Sequence, residues 1–344
     1  MHVRRITIIA SVGTLARPQE IASGCTKPLI RKEWRTLSRE ARLDYISAIQ
    51  CLQKLPARGT NDFPVISRFD DFVATHINQT GFVYTLPNNV TVQPPGIHEN
   101  GVFLPWHRYF LALYEHALRS ECGYTGAQPY WDWTLDTPSM NGSFVNSPIF
   151  DPITGFGGNG TIPDANSTFS CVSDGPFANR TLPLSRGIDH MISQPHCLRR
   201  NLAPFATDPG LSLQNVNRLL NHTKYWDFSI GMDNVDETAE VLGVHLAGHG
   251  GVGGEMGDMY TSPQDPLFYM HHANLDRLWW IWQRKKDGRV FEIGGPRSPR
   301  SDMGNTTLET VLEMYPFVGA NVPAWRAMDL ENSDGRGVLC NTYE

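Results

Sequence analysis

Two short stretches of the chain carry histidines at spacings that suit metal binding. In HLAGHG, His245 and His249 are four residues apart, and MHHANLDRLWWIW contains the doublet His271 and His272 further along the chain. Residues four apart lie on the same face of an α-helix, so the first pair can bind one ion together. Whether it does so depends on where the other histidines lie.

Three further histidines come from the first third of the chain. In SRFDDFVATHINQT, His76 lies on the apolar helical stripe that Phe69 and Phe72 begin. His107 begins a similar stripe in the next predicted helix, and His98 lies in the proline-rich loop between the two. A single buried histidine usually has a backbone partner. Two trios of buried imidazoles favour a metal instead, because coordination removes the cost of leaving their nitrogens unpaired.

The ligand type narrows the choice of metal. An all-imidazole set suits zinc, copper, iron or nickel and disfavours magnesium and calcium. A zinc-protease helix would read H-E-x-x-H, with the glutamate as general base, but Leu246 follows His245 here. Two trios instead suit a pair of copper ions, each held by three neutral imidazoles, with positions left open between them. Periodicity does not decide whether His271 or His272 is the ligand.

Helical periodicity predicts the elements that position these residues. Four core helices with inward histidines are predicted near residues 66–79, 104–120, 238–249 and 265–284, and two more over 33–56 and 211–220. In the third core helix, Val241 is expected to share one face with His245 and His249. Residues 136–187 are rich in Gly, Pro, Asn, Ser and Thr and predict long loops. The expected fold is mainly α, a single domain with a central four-helix bundle, long loops and little β-structure.

Composition restricts the class of protein. The chain has 344 residues, 19% of them charged, and a net charge of -6. This balance is typical of a globular protein and argues against a nucleic-acid partner. After the N-terminal segment no stretch approaches transmembrane length, so no membrane association is expected.

The N-terminus and the sequons predict secretion. Arg4 and Arg5 precede an apolar run over residues 6–16, which is the pattern of a signal peptide; we assign it to residues 1–22 and the functional domain to residues 23–344. Eight N-x-S/T sequons occur, at Asn78, Asn89, Asn141, Asn159, Asn166, Asn179, Asn221 and Asn305. Both features predict an extracellular glycoprotein.

The cysteines agree with an oxidising compartment. There are six, an even number, and none forms a C-x-x-C pair typical of zinc sites. Six cysteines allow fifteen pairings. Among these we expect Cys25–Cys340, Cys51–Cys122 and Cys171–Cys197.

At this point a family resemblance is evident. GIHENGVFLPWHRYFLALYE and DPLFYMHHANLDRLWWIWQ, with HLAGHG and QPYWDW, resemble the copper-binding motifs and core of the tyrosinase and catechol oxidase (polyphenol oxidase) family, in its short, secreted fungal form. The resemblance covers most of residues 25–340 and implies a dinuclear, type 3 copper site. The implied ligands of the first copper are His76, His98 and His107, and those of the second are His245, His249 and His272. The family pattern makes His271 a neighbour of the ligands, close to the substrate.

The resemblance also implies an activity. Members use O2 to oxidise o-diphenols to o-quinones, and we expect the same here, with o-aminophenols as further substrates. Small phenols and O2 are then the partners; the oligomeric state is not predicted. A full tyrosinase, which also hydroxylates monophenols, is the alternative. A hemocyanin-like O2 carrier and a mononuclear zinc hydrolase are more remote ones.

Three positions beside the motifs bear on specificity. In many tyrosinases the residue after the first histidine of the second copper is Asn, which helps a glutamate to hold a water. This chain has Leu246 at that position, so weak monophenol hydroxylation is expected. The choice of such a glutamate, Glu237 or Glu240, stays open. Gly250 should leave the entrance open to substituted phenols. Met259 occupies the position of a residue that overhangs the first copper in some relatives.

Other residues near the motifs have more than one interpretation. In many fungal members a cysteine two residues before the second ligand forms a thioether; Gly96 stands there, so His98 should be more mobile. Asp276 and Arg277 either orient imidazoles or form an ordinary ion pair. Five aromatic residues could line the site or simply pack: Trp106, Phe110, Tyr130, Trp131 and Trp133.

Overall fold

The computed structural model describes residues 25–82, 84–85, 91–92, 94–162, 170–204, 209–233, 235–236, 241–299 and 303–344. The predicted signal peptide, the sequons at Asn89 and Asn166, and the pair Glu237 and Glu240 lie outside these residues.

Helices dominate the described part of the chain, as predicted. They are α1 (Arg39–Leu52), α2 (Arg68–Thr80), α3 (Phe103–Cys122), α4 (Leu213–Leu220), α5 (Tyr225–Asp233), α6 (Val244–Val252) and α7 (Leu267–Arg284). None of these helices is both long and apolar enough to cross a membrane. The fold is a single, mainly helical domain.

The β-structure is limited to short pairs of strands in the described ranges. The strands are β1 (Leu29–Arg31), β2 (Tyr84–Thr85), β3 (Thr91–Val92), β4 (Thr181–Arg186), β5 (Met191–Cys197), β6 (Val235–Asp236), β7 (Val241–Leu242), β8 (Val311–Leu312), β9 (Val322–Pro323) and β10 (Asn341–Tyr343). They pair as β1 with β10, β2 with β3, β4 with β5, β6 with β7 and β8 with β9. The β1–β10 pair is parallel and joins the two ends of the described chain.

Local signals in the sequence explain where the main helices begin and end. The hydroxyl of Ser38 accepts from the backbone N–H of Ala41 and caps α1. Ser67 and Asp70 form a reciprocal capping box at the start of α2. Gly123 ends α3 in the left-handed conformation, with φ of 69°, which glycine adopts without steric cost.

The start of the third histidine-bearing helix was predicted wrongly. The periodicity places residues 238–249 in one helix, whereas α6 begins at Val244 and Val241 lies in β7. Gly243 is extended, with ψ of 151°, and separates the two elements. Val241 therefore does not share a helical face with His245, although His245 and His249 do share one.

Aromatic packing holds the histidine-bearing helices together. Phe72 of α2 contacts Phe110 of α3 edge-on, with ring centroids 5.8 Å apart, and Phe69 of α2 meets Tyr269 of α7 at 5.9 Å. Tyr114 of α3 lies flat on Tyr269, with centroids 3.5 Å apart. Edge-on and stacked rings of this kind stabilise a core beyond simple area burial. The spacing of the histidines depends on this arrangement.

The three expected disulfides are confirmed. Cys25 pairs with Cys340, Cys51 with Cys122 and Cys171 with Cys197. The first fastens the start of the described chain to its C-terminal segment. The second ties α1 to the end of α3, and the third closes the segment that contains β4 and β5.

A buried ionic network connects the chain ends to the bundle. Arg31 of β1 donates to Glu115 of α3 at 2.7 Å and to Asp276 of α7 at 3.1 Å. Asp276 also accepts from Arg108 and, at 2.6 Å, from the hydroxyl of Tyr343. Of the two interpretations of Asp276, the ion pair is therefore the one observed. Asp276 thus pairs with two guanidinium groups, of which Arg31 has Glu115 as a second partner.

Asp276→Ala is expected to lower the free energy of unfolding by about 3–5 kcal/mol, because it leaves the buried Arg108 without its counter-charge and removes one of the two carboxylates that pair with Arg31. Lys32→Ala breaks an exposed ion pair with Glu344 and should cost less than about 1 kcal/mol. Urea denaturation of both variants measures the difference, and equal small losses would contradict the assigned role of Asp276.

Candidate metal centre

The bundle brings six of the predicted histidines together as two triads. The first consists of His76 from α2, His98 from the loop before α3 and His107 from α3. The second consists of His245 and His249 from α6 and His272 from α7. Within each triad the candidate ligand atoms all lie within 4.8 Å of one another. Each set can therefore surround one metal ion.

The two triads face each other across a narrow gap. The rings of His107 and His272 are nearly parallel, with centroids 4.5 Å apart. The rings of His98 and His245 are also nearly parallel, with centroids 5.9 Å apart. Ions held by the two triads would therefore be neighbours, and a small molecule could contact both.

Backbone carbonyl groups fix the tautomer of three triad histidines. The Nδ1 atoms of His76, His107 and His249 donate to the carbonyl oxygens of Tyr260, Phe103 and Met256, at 3.0, 2.8 and 2.7 Å. Because a carbonyl oxygen only accepts, Nδ1 carries the hydrogen in each case. The lone pair on Nε2 then points to the centre of the triad. Such outer hydrogen bonds orient metal-binding imidazoles in general.

The Nε2 atoms of five triad histidines fit metal coordination, because the described residues offer them either no partner or only another imidazole. Those of His76, His107 and His245 are buried without a hydrogen bond. Those of His249 and His272 are 3.2 Å apart. Buried nitrogen lone pairs without a partner are costly, and an ion at the centre of each triad would satisfy them. Neutral imidazole suits copper.

Burial keeps most of the triad histidines uncharged. It lowers the pKa of His76 to about 4 and, with repulsion from neighbouring histidines, holds the pKa of His98, His107, His249 and His272 well below the usual range. Neutral imidazole is the metal-binding form. The site is therefore ready to bind a metal at neutral pH.

A carboxylate outside the triads contacts His245 of the second triad and the residue that follows His98 of the first. Oδ1 of Asp233 lies 2.7 Å from Nδ1 of His245, although the ring N–H is poorly aligned with it. Oδ2 of Asp233 accepts from the backbone N–H of Glu99 at 2.6 Å, directly after His98. One side chain thus connects the His98 loop to the second triad.

His271 differs from His272 in that protein groups occupy both of its nitrogens. The indole of Trp133 donates to Nδ1 at 3.1 Å, and Nε2 donates to the carbonyl of His245 at 3.2 Å. The ring packs so closely on α6 that a Cβ at Gly248 would lie 2.2 Å from it. His271 thus supports the backbone of a triad residue, and His272 has its Nε2 in the triad.

The residues predicted to control substrate access lie at the surface, two beside the second triad and one near the first. Leu246 and Gly250 are four residues apart on the outer face of α6, each directly after a triad histidine. The Leu246 side chain is 37% exposed, and space is open where Gly250 would carry a Cβ. Met259 is 52% exposed and precedes Tyr260, whose carbonyl holds His76.

The five predicted aromatic residues are all buried, but they have different neighbours. Trp106 and Phe110 lie 6.0 and 6.3 Å from the ring of His76, measured between centroids. Trp133 reaches the triads through His271. Tyr130 packs on Tyr343, and Trp131 packs on Phe144 and Phe150. Trp106 and Phe110 therefore form part of the wall of the centre.

The backbone conformation at residue 96 explains why a glycine occupies this position. Its φ is 69°, and a Cβ there would lie 2.8 Å from the carbonyl oxygen of Thr80. A cysteine at this position would therefore be strained. In addition, Nδ1 of His98 is buried without a partner in the described residues.

The fold and the two triads define a helical protein with a dinuclear, all-histidine metal centre. Residues 66–285 match the family model described as the common central domain of tyrosinase. The chain belongs to the tyrosinase family, whose members hold two copper ions, and the two triads are the residues that could hold them.

Individual relatives agree with this assignment over most of the chain. The tyrosinase-like protein phomQ1 of Diaporthe leptostromiformis is 37% identical over 93% of this chain and 78% of its own length. Tyrosinase P of Aspergillus terreus is 33% identical over 99% of both chains. The solved structure of a point variant of polyphenol oxidase from Thermothelomyces thermophila is 31% identical, covers 92% of this chain and 89% of its own, and has a TM-score of 0.75. The protein is an oxidase of this family.

Sequence reasoning missed the groups that orient the imidazoles. Asp233, Met256 and Tyr260 contact triad histidines, and only Asp233 does so through its side chain. A backbone carbonyl has no signature in the sequence. Asp233 is separated from His245 by two short strands, so no periodic spacing relates the two.

The metal-free protein is expected to lose stability as the pH falls below about 6.5. The folded pKa of His76 is about 4, below its unfolded value, so the unfolded chain binds more protons between pH 4 and 6.5. The free energy of unfolding should fall across this window by up to about 3 kcal/mol from His76 alone. Urea denaturation against pH measures this. His76→Gln should make the fall smaller without abolishing it, because His98, His107, His249 and His272 also have lowered pKa values. Substitution of the exposed His116 should leave the profile unchanged. A flat profile in the unmodified chain would contradict the assignment.

The two members of the histidine doublet should differ in metal content. His272→Gln removes one ligand of the second triad and should reduce bound copper from two ions per chain to about one. His271→Gln should keep both ions, at a cost of about 1–3 kcal/mol in stability from lost hydrogen bonds. Metal analysis of the purified variants distinguishes the two residues. If His271→Gln lost one ion and His272→Gln kept both, His271 would be the ligand and His272 the supporting residue.

Proposed function

We propose that this chain uses two copper ions and O2 to oxidise o-diphenols, and o-aminophenols of similar shape, to o-quinones, with little hydroxylation of monophenols. When bound, the copper pair supplies the two-electron chemistry with O2 that this reaction requires. His76, His98 and His107 would hold the first ion, and His245, His249 and His272 the second. A catechol gives up two electrons and two protons, so no oxygen atom needs to enter the ring.

The observation that carries the specificity is the apolar side chain of Leu246. It lies directly after His245 at the surface of α6 and is partly exposed. An amide in this place can hold a water that takes the proton of a monophenol. The Leu246 side chain has no hydrogen-bonding group, so an incoming monophenol gains no base from it. An o-diphenol is more acidic and more easily oxidised, and it depends less on such a base.

The open space beside Gly250 supports access for substituted rings. The residue is exposed and follows His249, and no atom lies within 4 Å of the point that a Cβ would occupy. A larger residue there would stand over the second triad. Met259, also exposed, is proposed to contact the substrate on the side of the first triad, because the residue after it holds His76.

A full tyrosinase is the second candidate function. It is favoured by the name of Tyrosinase P, the Aspergillus terreus relative that aligns over nearly the whole chain. The oxidase relatives favour turnover over the O2-carrier alternative. Relative rates on matched substrates separate the first two functions.

Purified, copper-loaded protein should oxidise catechol and o-aminophenol much faster than it hydroxylates phenol. Leu246→Asn should raise the ratio of phenol to catechol rates by at least about tenfold. The reason is that the new amide can hold a water that accepts the phenol proton, and a positioned proton acceptor commonly raises a rate by more than about tenfold. Leu213→Asn changes a similarly exposed leucine on α4 and should leave the ratio unchanged. Phenol turnover as fast as catechol turnover in the unmodified chain would favour the tyrosinase.

We further propose that the chain is secreted and carries N-linked glycans. All cysteines of the described chain are in disulfides, which persist in oxidising compartments. Five sequons have an exposed asparagine: Asn141, Asn159, Asn179, Asn221 and Asn305. Asn78 differs, because it lies in α2 and its amide donates to the hydroxyl of Tyr315.

Peptide mapping of protein secreted from a eukaryotic host should find glycans on the exposed sequons and none on Asn78. The reason is that a half-buried helical amide engaged by Tyr315 offers no access after folding. Deglycosylation with isotope labelling of the released sites provides the readout. A glycan on Asn78, or none on any of the exposed sites, would contradict this part of the proposal.

A further inference from the structure

One short segment of the chain serves both triads. Residues 254–264, here called the acceptor segment, contain the carbonyl of Met256, which accepts from His249, and the carbonyl of Tyr260, which accepts from His76. His249 belongs to the second triad and His76 to the first. A shift of this segment would therefore reorient one imidazole in each half of the centre.

The acceptor segment has little regular structure to keep it in place. It consists of two single 3-10 turns, Gly254–Gly257 and Ser262–Gln264, joined by a loop. Gly254 has a positive φ of 55°. The segment has few helical hydrogen bonds, so other contacts must hold its two carbonyl groups in place. The backbone N–H of Glu255 donates to the carbonyl of Arg199 at 3.0 Å, and Asp258 accepts from the N–H groups of Tyr260 and Thr261 at 2.8 Å. Buried side chains provide further contacts.

Glu255 provides the central contacts of the segment. Its side chain is fully buried, and Oε1 accepts from Nε of Arg199 at 2.6 Å and lies 3.1 Å from Nε2 of His196. Oε2 accepts from the hydroxyl of Thr261 at 3.2 Å and from the amide of Gln264 at 3.3 Å. One carboxylate thus joins the start of the segment to its end.

The partners of Glu255 belong to a rigid support. His196 lies in β5, next to Cys197, which is in a disulfide with Cys171. Gln264 also bonds to the backbone of Leu184 in β4, as donor at 3.0 Å and as acceptor at 3.2 Å. The acceptor segment is therefore held against the disulfide-closed β4–β5 hairpin.

We propose that Glu255 is a positioning residue for both copper ions, because its carboxylate fixes the carbonyl groups of Met256 and Tyr260 against His249 and His76. Among the described contacts of Glu255, none is with a triad imidazole. It acts through the two backbone carbonyl groups. The inference rests on the dicopper centre and is independent of which phenol is oxidised.

The test compares copper retention in three full-length variants with the unmodified protein. Glu255→Ala removes the carboxylate. Glu255→Gln keeps its shape but has one acceptor oxygen in place of two, so it cannot accept from Arg199 on one side and from Thr261 and Gln264 on the other. Asp136→Asn is the matched control: Asp136 is a buried carboxylate that accepts from Arg35 and, at 2.7 Å, from the indole of Trp131. Each holoprotein is dialysed against buffers of graded free Cu²⁺, and bound copper per chain is measured beside the urea unfolding of the metal-free form.

The expected result is a weakening of both ions together. Glu255→Ala should raise the free Cu²⁺ needed to fill each site by about 10–100-fold, the usual effect of losing a group that orients a ligand. Glu255→Gln should give a smaller shift in the same direction. Asp136→Asn should lose stability and keep normal copper affinity.

Three outcomes would overturn the inference. One is normal affinity at both sites in Glu255→Ala and Glu255→Gln. Another is weakening of one ion alone, because the acceptor segment contacts both triads. The third is an equal loss of affinity in Asp136→Asn, which would assign the effect to general stability. If Glu255→Ala does not fold, Glu255→Gln decides the question by the same criteria.

Discussion

Both nitrogens of each triad imidazole need a partner inside a core that excludes water, and this requirement constrains the rest of the fold. Burial lowers the pKa of most of these histidines, so protonation cannot satisfy the nitrogens at neutral pH. Carbonyl groups satisfy Nδ1 of His76, His107 and His249. The Nε2 atoms of His76, His107 and His245 have no partner among the described residues, and an ion at the centre of each triad would serve them. Metal binding and stability are therefore coupled.

Two sets of contacts, here called the first and second layers, together place the imidazoles and orient them. The aromatic contacts among α2, α3 and α7, with the ionic network around Asp276, set the positions of the helices. Loop carbonyls and the Asp233 carboxylate then set the rotation of individual rings. The acceptor segment belongs to the second layer and spans both triads. Substitutions in the first layer should change stability, and those in the second should change metal affinity.

The sequence predicted the first layer better than the second. His76 and His107 lie on apolar stripes of long helices, and such stripes can be recognised because burial follows the helical period. The start of α6 was missed because Val241 continues the period by chance, while the extended backbone of Gly243 separates β7 from the helix. The disulfide pairs were expected correctly, although spacing alone cannot determine them.

The second layer could not be predicted because its groups leave no pattern in the residue types: the carbonyls of Met256 and Tyr260 would be the same with any side chain. The doublet was ambiguous for a related reason, since its members differ through distant partners: Trp133 and the carbonyl of His245 occupy the nitrogens of His271, and His272 lies in the triad.

Two ions lying between these histidines are the central requirement of the proposed chemistry. Crystals of the purified holoprotein, measured on both sides of the copper absorption edge, would locate the ions and identify the element. The expected result is two copper peaks. One should lie within bonding distance of the nitrogens of His76, His98 and His107, and the other within bonding distance of those of His245, His249 and His272. A metal–imidazole bond is about 2.0–2.1 Å long. A single peak, a peak bound to His271, or a signal at the zinc edge would contradict the dicopper centre.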